Sequence, residues 1–348
     1  MSAKAVVTCL EEIPDRLFAK RSSAEEIQRT LSVDWSGSAL RFTVFPEGLD
    51  GGSLELRDGA KSVAELLQYY AKILYDLSFG IGRGAYLEGE KKESALLSLR
   101  GQGAALFRRL IPRELQREIQ GWPDGIVLQV LTNEQWIPWE LMYDGKGFLG
   151  QRMLLVRVPR LSLELGRANA RKERVNRPPC SGSGRGQKIL NVVGGGLSNQ
   201  RDECHGLFNS FSKGAEVSIL HERPLSVLSQ AIGDADLVHF TCHGHRDPLR
   251  LQIYKTDDIM LNLLVDSVAE DDFRIKPRCL VYANACNSAA SEIVFEEFLG
   301  FAWQFYIKGA AAYIGTLGAV PTKDALSFAR RFYARLAGGE SVNIYRAC

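Results

Sequence analysis

Leu237-Val238-His239-Phe240-Thr241-Cys242 runs into His243-Gly244, and Cys279-Leu280-Val281-Tyr282-Ala283-Asn284-Ala285 runs into Cys286. Each run is short, rich in β-forming residues and bounded by polar or turn residues, so each predicts a buried strand. In an open α/β sheet, ligands and chemistry gather at the carboxyl ends of the strands. If these two strands are neighbours, an imidazole stands beside a thiol. That pair is the smallest set of groups from which a cysteine hydrolase can be built.

Around these strands the chain alternates. Ile189–Val193 predicts a strand ending in Gly194-Gly195-Gly196, followed by a helix around Asp202–Phe211, a strand at Glu216–Leu220 and a short helix at Ser226–Ile232. Beyond Cys286 the pattern predicts an apolar helix near Ile293–Ile307, a strand at Ala311–Gly315 and a helix after Pro321. That last helix carries Leu326, Phe332, Tyr333 and Leu336 on one face. Such alternation implies a mainly parallel sheet covered by helices on both sides.

Toward the amino terminus the rhythm changes. Residues 1–35 are charged and mixed and predict a helical segment, clearest around Glu25–Leu31. LRFTVFP from Leu40 and SLELRDG from Ser53 predict two strands separated by a turn at Leu49-Asp50-Gly51-Gly52. Ser62 and Glu65 form a capping box for a helix whose apolar face includes Val63, Leu66, Tyr70 and Leu74. A glycine-rich break at 80–89, a helical region over Glu93–Ile119 interrupted at Pro112, and strands at 125–131 and 153–158 follow. Trp139-Glu140 between them reads as a core tryptophan beside a satisfied carboxylate.

From Gly166 to Gly186 six basic residues face the single acid Glu173, with Pro178-Pro179 and Ser181-Gly182-Ser183-Gly184 among them. This predicts a solvated, flexible linker, although phosphate contact or trypsin-like cleavage is also open to it. The expected organisation is therefore a helical segment 1–35, a smaller mixed-strand α/β domain 36–165, a linker 166–187 and a second α/β domain 188–348. The chain ends at Cys348 in a helical pattern, so a further carboxyl-terminal segment is an open expectation.

Forty-three Lys and Arg oppose 41 Asp and Glu, which argues against bulk attraction to nucleic acid or an anionic membrane. No apolar run approaches the ~20 residues of a membrane span, and MSAKAVVTCLEEIPDR lacks the pattern of a signal peptide. A cytoplasmic location is expected. Seven irregularly spaced cysteines without a CxxC motif argue against a disulfide framework or a structural zinc site.

An isolated thiol, with a pKa near ~8.5, is only a few per cent thiolate at neutral pH and needs a base or a positive dipole beside it. Cys286 stands where a strand is expected to give way to a turn and then a helix, which would aim backbone N–H groups at it. His243 stands in the equivalent place on the other strand, and Gly244 lets the backbone approach closely. The amides of Gly244 and Cys286 are the expected oxyanion hole. All five histidines lie between His205 and His245, which invites a metal, yet no second ligand pair stands at zinc spacing. No metal or cofactor is expected. His239, inside an apolar run, reads as a hydrogen-bonded core histidine, and His245 as a cleft or surface residue. The GGGLSN turn lacks both the full G-x-G-x-x-G spacing and a G-K-[ST].

HFTCHG, then VYANACNSA, then GAAAYIGTL, a proline and FARRFYARLAGGES resemble the CHAT domain of the caspase-like cysteine peptidases. The upstream LIPRELQREI, IVLQVLTNEQWIPWELMYD and VRVPR are similar to the amino-terminal half common in those proteins. The resemblance implies an α/β caspase-like sheet of order 2-1-3-4 for the strands beginning at Ile189, and an endopeptidase with His243 and Cys286 as its dyad. It also implies a protein substrate, an activating or inhibiting protein partner, and a role in bacterial defence or cell death. Relatives that cut after Arg or Lys carry an acid two residues before the nucleophile, where this chain has Asn284. Asn284, Arg201 and Leu317 are the candidate substrate-pocket residues, and the loops over 249–272 are expected to be disordered or misplaced until a partner binds. Two other readings stay open here: a catalytically silent caspase-like scaffold, and a nucleotide-binding domain built on Gly194–Gly196.

Overall fold

A computed structural model describes residues 28–36, 39–45, 49–55, 90–134, 137–159, 187–195, 197, 200–211, 215–221, 223–246, 248–255, 260–294 and 297–337. Residues 1–27 of the expected segment 1–35, the helix from Ser62, the glycine-rich break at 80–89 and residues 166–186 of the basic linker lie outside them. The chain divides into two compact units, Met1–Ser162 and Leu163–Cys348.

The first unit is built on a five-stranded mixed sheet of order β3-β2-β1-β4-β5. Its strands are β1 (Gln28–Trp35), β2 (Ala39–Phe45), β3 (Leu49–Glu55), β4 (Val127–Thr132) and β5 (Leu154–Pro159). Helices α1 (Glu90–Leu110) and α2 (Arg113–Gly121) are separated at Pro112, and one turn of helix, α3 (Leu149–Arg152), precedes β5. β1 corrects the helix expected over residues 25–31. It lies at the centre of the sheet, antiparallel to β2 and parallel to β4, with Leu31 and Val33 fully buried. Strand alternation in TLSV outweighs the helical character of the charged residues before it. The turn expected at Leu49–Gly52 is part of β3, where a register irregularity between Arg41 and Thr43 absorbs the two glycines.

Trp139 is fully buried, and its indole N–H donates to Glu134 Oε1 at 2.7 Å. The neighbouring Glu140 pairs instead with Arg157. Arg152, 6% exposed, donates to Asp124 Oδ1 and to the Trp122 carbonyl at 2.7 Å each, and also to the buried carboxylate of Asp144. Arg152→Ala strands Asp144 without its cation, so urea unfolding is expected to show a loss of about 3–5 kcal/mol.

The second unit holds a five-stranded, wholly parallel sheet of order β15-β12-β8-β6-β7. Its strands are β6 (Lys188–Val193), β7 (Glu216–His221), β8 (Leu237–Thr241), β12 (Leu280–Asn284) and β15 (Ala312–Ile314). Counted from β6, the first four strands stand as 2-1-3-4, as the resemblance implied. Side chains alternate strictly between two cores. Val238, Phe240, Val281 and Ala283 face α5 (Leu225–Asp234) and α7 (Phe301–Ile307). Leu237, Leu280 and Tyr282 face α4 (Gln200–Phe211) and α8 (Thr322–Ala337). The fold is therefore α/β, a mainly parallel sheet between helical layers, with a separate mixed sheet in the amino-terminal unit.

Two differences from the expected elements shape the site. Residues 249–272, expected to be cleft loops disordered or misplaced until a partner binds, include β10 (Leu249–Lys255), β11 (Met260–Leu264) and α6 (Val265–Ala269). With β9 (His243–Arg246) these strands make a small antiparallel sheet, β11-β10-β9, anchored by the buried Leu249, Leu251 and Leu263. The helix expected over 293–307 begins only at Phe301. Residues before it form the hairpin of β13 (Ser291–Val294) and β14 (Glu297–Gly300), in keeping with β-branched Ile293-Val294. Among the described residues no helix is long and apolar enough to cross a membrane.

Candidate active site

β8 and β12 are neighbours in parallel register, and their last paired residues are Thr241 and Asn284. His243 and Cys286 each stand two residues beyond that pair, His243 opening β9 and Cys286 in the turn after β12. The chains remain in contact past the sheet. A methyl group built on Gly244 would fall 1.7 Å from the Cys286 carbonyl oxygen and 3.1 Å from its amide nitrogen. Only glycine fits this approach. His243 and Cys286 are both half-buried. The His243 ring lies 6.5 Å, centroid to centroid, from that of His245, which pairs with Gln252 Oε1 at 3.3 Å.

Cys286 sits in a turn that leads to β13, not to the helix N-terminus expected from the sequence. The turn is shaped by Asn287, whose φ of 56° places a non-glycine residue in the left-handed region immediately after the sulfur. Ser288 Oγ donates to the Ala283 carbonyl at 2.9 Å and accepts the Thr316 amide at 3.0 Å. Thr316 Oγ1 donates to the Ala285 carbonyl at 2.6 Å, and the Asn287 amide to that of Gly318 at 3.0 Å. The loop after β15 is thereby laced onto the cysteine turn. Its last contact is on the sulfur, where the Val320 amide donates to Cys286 Sγ at 3.4 Å and the Val320 carbonyl lies at 3.8 Å.

Burial pushes the Cys286 thiol up, against the pull of the Val320 N–H. Burial likewise raises the thiol of Cys242 and the phenol of Tyr313. All three are acids held neutral in the folded chain, so their contribution to stability is complete below the unfolded thiol pKa of ~8.5 and is lost as pH rises through the higher folded values. The melting temperature is expected to fall steadily between about pH 8.5 and 11 by calorimetry, with Cys242→Ala flattening the first part of the decline. A flat curve for the wild type over that range contradicts the assignment.

Beneath the strand tips runs a layer of polar side chains. Asn191, His239 and Thr241 are fully buried, Glu203 is 5% exposed and Asn284 9%. His239 is the hydrogen-bonded core histidine expected from its place in the strand. Its Nε2 lies 2.7 Å from Glu203 Oε1 and its Nδ1 lies 2.6 Å from the Tyr333 hydroxyl. The Asn284 amide donates to the same Glu203 oxygen. Thr241 Oγ1 donates to Asn191 Oδ1 at 3.3 Å, and Asn191 Nδ2 reaches Cys204 Sγ at 3.1 Å.

The pocket candidates therefore separate. Asn284 is buried against Glu203, Arg201 is exposed on α4, and Leu317 is half-exposed in the loop that touches the sulfur. Glu203 was missed in the sequence, although its spacing from Leu207 and Phe211 puts it on the buried stripe of α4. A carboxylate there requires a partner. Among the described residues no three His, Cys, Asp or Glu side chains group as metal ligands.

A CHAT domain family model matches residues 100–344. The crystal structure of the Saccharomyces cerevisiae separase–securin complex is similar in fold. It has a TM-score of 0.51 and 11% sequence identity, and the match covers 92% of this chain and 28% of that one. The chain thus spans well under a third of that structure's length. No curated protein sequence matches the chain.

Proposed function

Because the chain belongs to the CHAT-domain family and carries a caspase-like protease fold, we propose that it is a cysteine endopeptidase acting through His243 and Cys286. The observation that carries this reading is the meeting of the two strand tips, with Gly244 against the backbone of Cys286. In the proposed reaction His243 takes the Sγ proton as sulfur attacks the peptide carbonyl, forming the S–C bond and an oxyanion. The amides of Gly244 and Cys286 face that oxyanion. The imidazolium then protonates the departing amine as the C–N bond breaks. Water, deprotonated by His243, releases the acyl group and restores the thiol. Neither a metal nor a cofactor enters the reaction.

Asn284 offers no charge to a basic P1 side chain, and Arg201 and Leu317 border the substrate. The thiol raised by burial fits a resting enzyme switched on by a protein partner; a cytoplasmic defence or cell-death role is what the family resemblance implies. The separase neighbour was crystallised with securin, a precedent for a partner chain on this fold. Full turnover by the purified chain alone counts against that control.

The test is profiling of new protein N-termini by mass spectrometry after cell extract is incubated with wild type or Cys286→Ala. Termini that arise only with the wild type and share a P1 residue support the reading. Identical sets from both proteins leave the catalytically silent scaffold in its place.

A further inference from the structure

We infer that Glu203 is a positioning residue for this site: its carboxylate clamps the strand leading to His243 onto the strand leading to Cys286, and so sets how the two groups meet. The kinetic part of this inference rests on the peptidase reading; the structural part does not. One oxygen, Oε1, receives His239 Nε2 from β8 and Asn284 Nδ2 from β12. His239 is four residues before His243, and Asn284 is two before Cys286; the two bonded residues, His239 and Asn284, lie on one face of adjacent strands. The carboxylate therefore bridges two strands directly beneath the groups proposed to react.

The clamp is itself held. With the His239 Nε2–H donating to Glu203, the ring's Nδ1 accepts from the Tyr333 hydroxyl. The His239 ring stacks on Tyr282 at 5.0 Å. Tyr333 lies on α8 and Glu203 on α4, so helices from two ends of the unit converge on the same pair of strands. Charge-assisted bonds in a buried layer are the strong ones, and removing one end leaves the other without its partner. If Glu203 is lost, the Asn284 amide is stranded at 9% exposure and the turn that follows must shift to rehydrate it. That turn carries Cys286 and the Val320 contact.

The predicted signature has two readouts moving in opposite directions. In the chain carrying Glu203→Ala, alkylation of Cys286 by iodoacetamide, followed by mass spectrometry, rises about tenfold as the turn loosens and relieves the burial that holds the thiol neutral. On a fluorogenic peptide taken from a cleavage site, kcat falls tenfold or more while KM stays within about threefold, since misplacement of reacting groups acts on the chemical step. Glu203→Gln keeps an acceptor oxygen and restores both readouts to within about fivefold. Asn284→Ala cuts the same bond from its other end while leaving His239 on Glu203. It moves both readouts in the same directions by a smaller factor, and takes the place of Glu203→Ala if that chain does not fold.

Unchanged alkylation and kcat in Glu203→Ala overturn the inference. So does a loss of kcat with unchanged alkylation that Gln does not rescue. Wild-type cleavage that does not depend on Cys286 and His243 removes the peptidase reading and its kinetic arm. The alkylation arm then still decides on the clamp.

Discussion

Cys286→Ala is expected to lower kcat/KM on a peptide built from the cleavage site by a thousandfold or more, and His243→Ala by a similar factor. Without sulfur there is no acyl-enzyme, and without the imidazole the buried thiol has no base within the proposed machinery. That second loss is severe here because burial already holds the Cys286 proton more tightly than in an isolated thiol. Groups that act as one unit are far from additive. The double variant should therefore be no slower than the worse single variant within about threefold. If His243→Ala keeps more than a tenth of wild-type turnover, another base serves Cys286 and the dyad assignment is wrong.

Gly244→Ala should be almost as damaging, although it adds only a methyl group to a residue with no side-chain chemistry. The methyl would fall 1.7 Å from the Cys286 carbonyl oxygen. Both sides of that contact are backbone, so no side chain can rotate aside, and the strand tips must part by more than an ångström. A displacement of that size between reacting groups costs on the order of a hundredfold. We expect at least that loss in kcat together with a lower melting temperature. Gly206→Ala is the matched control. Its methyl meets only the flexible Arg330 side chain, at 3.4 Å, inside a helix where alanine is preferred. Equal behaviour of the two variants would falsify the close approach as the source of the effect.

The parallel sheet and the place of His243 and Cys286 were legible because buried strands between turn residues leave a strong signature. Leu237–Thr241 and Leu280–Asn284 are nearly continuous apolar runs, with His243 and Cys286 each two residues past an end. The hairpin before Phe301 was not legible. Two four-residue strands are too short to display alternation, and they run straight into the apolar helix FAWQFYI. β1 was hidden for the opposite reason. Its alternation spans only a few residues, and its strandedness comes from β2 and β4, partners far along the chain. The β9–β11 sheet escaped notice because His243-Gly244-His245-Arg246 has no strand propensity of its own and is paired only by β10. Glu203 shows a further limit. Periodicity can place an acid on an inward face, but only tertiary packing shows that His239 and Asn284 meet it there.

The Val320 contact has a consequence for how binding strength should be measured in this protein. On the proposed reading a scissile carbonyl has to reach the same sulfur that the Val320 peptide now touches, and where that peptide must withdraw first, substrate engages only the withdrawn chains. Measured affinity is then the intrinsic affinity scaled by the withdrawn fraction; a fraction of about one in a hundred weakens it about a hundredfold. Any second molecule that favours the withdrawn form tightens substrate binding by the inverse of that fraction at most, and substrate tightens its binding by the same factor.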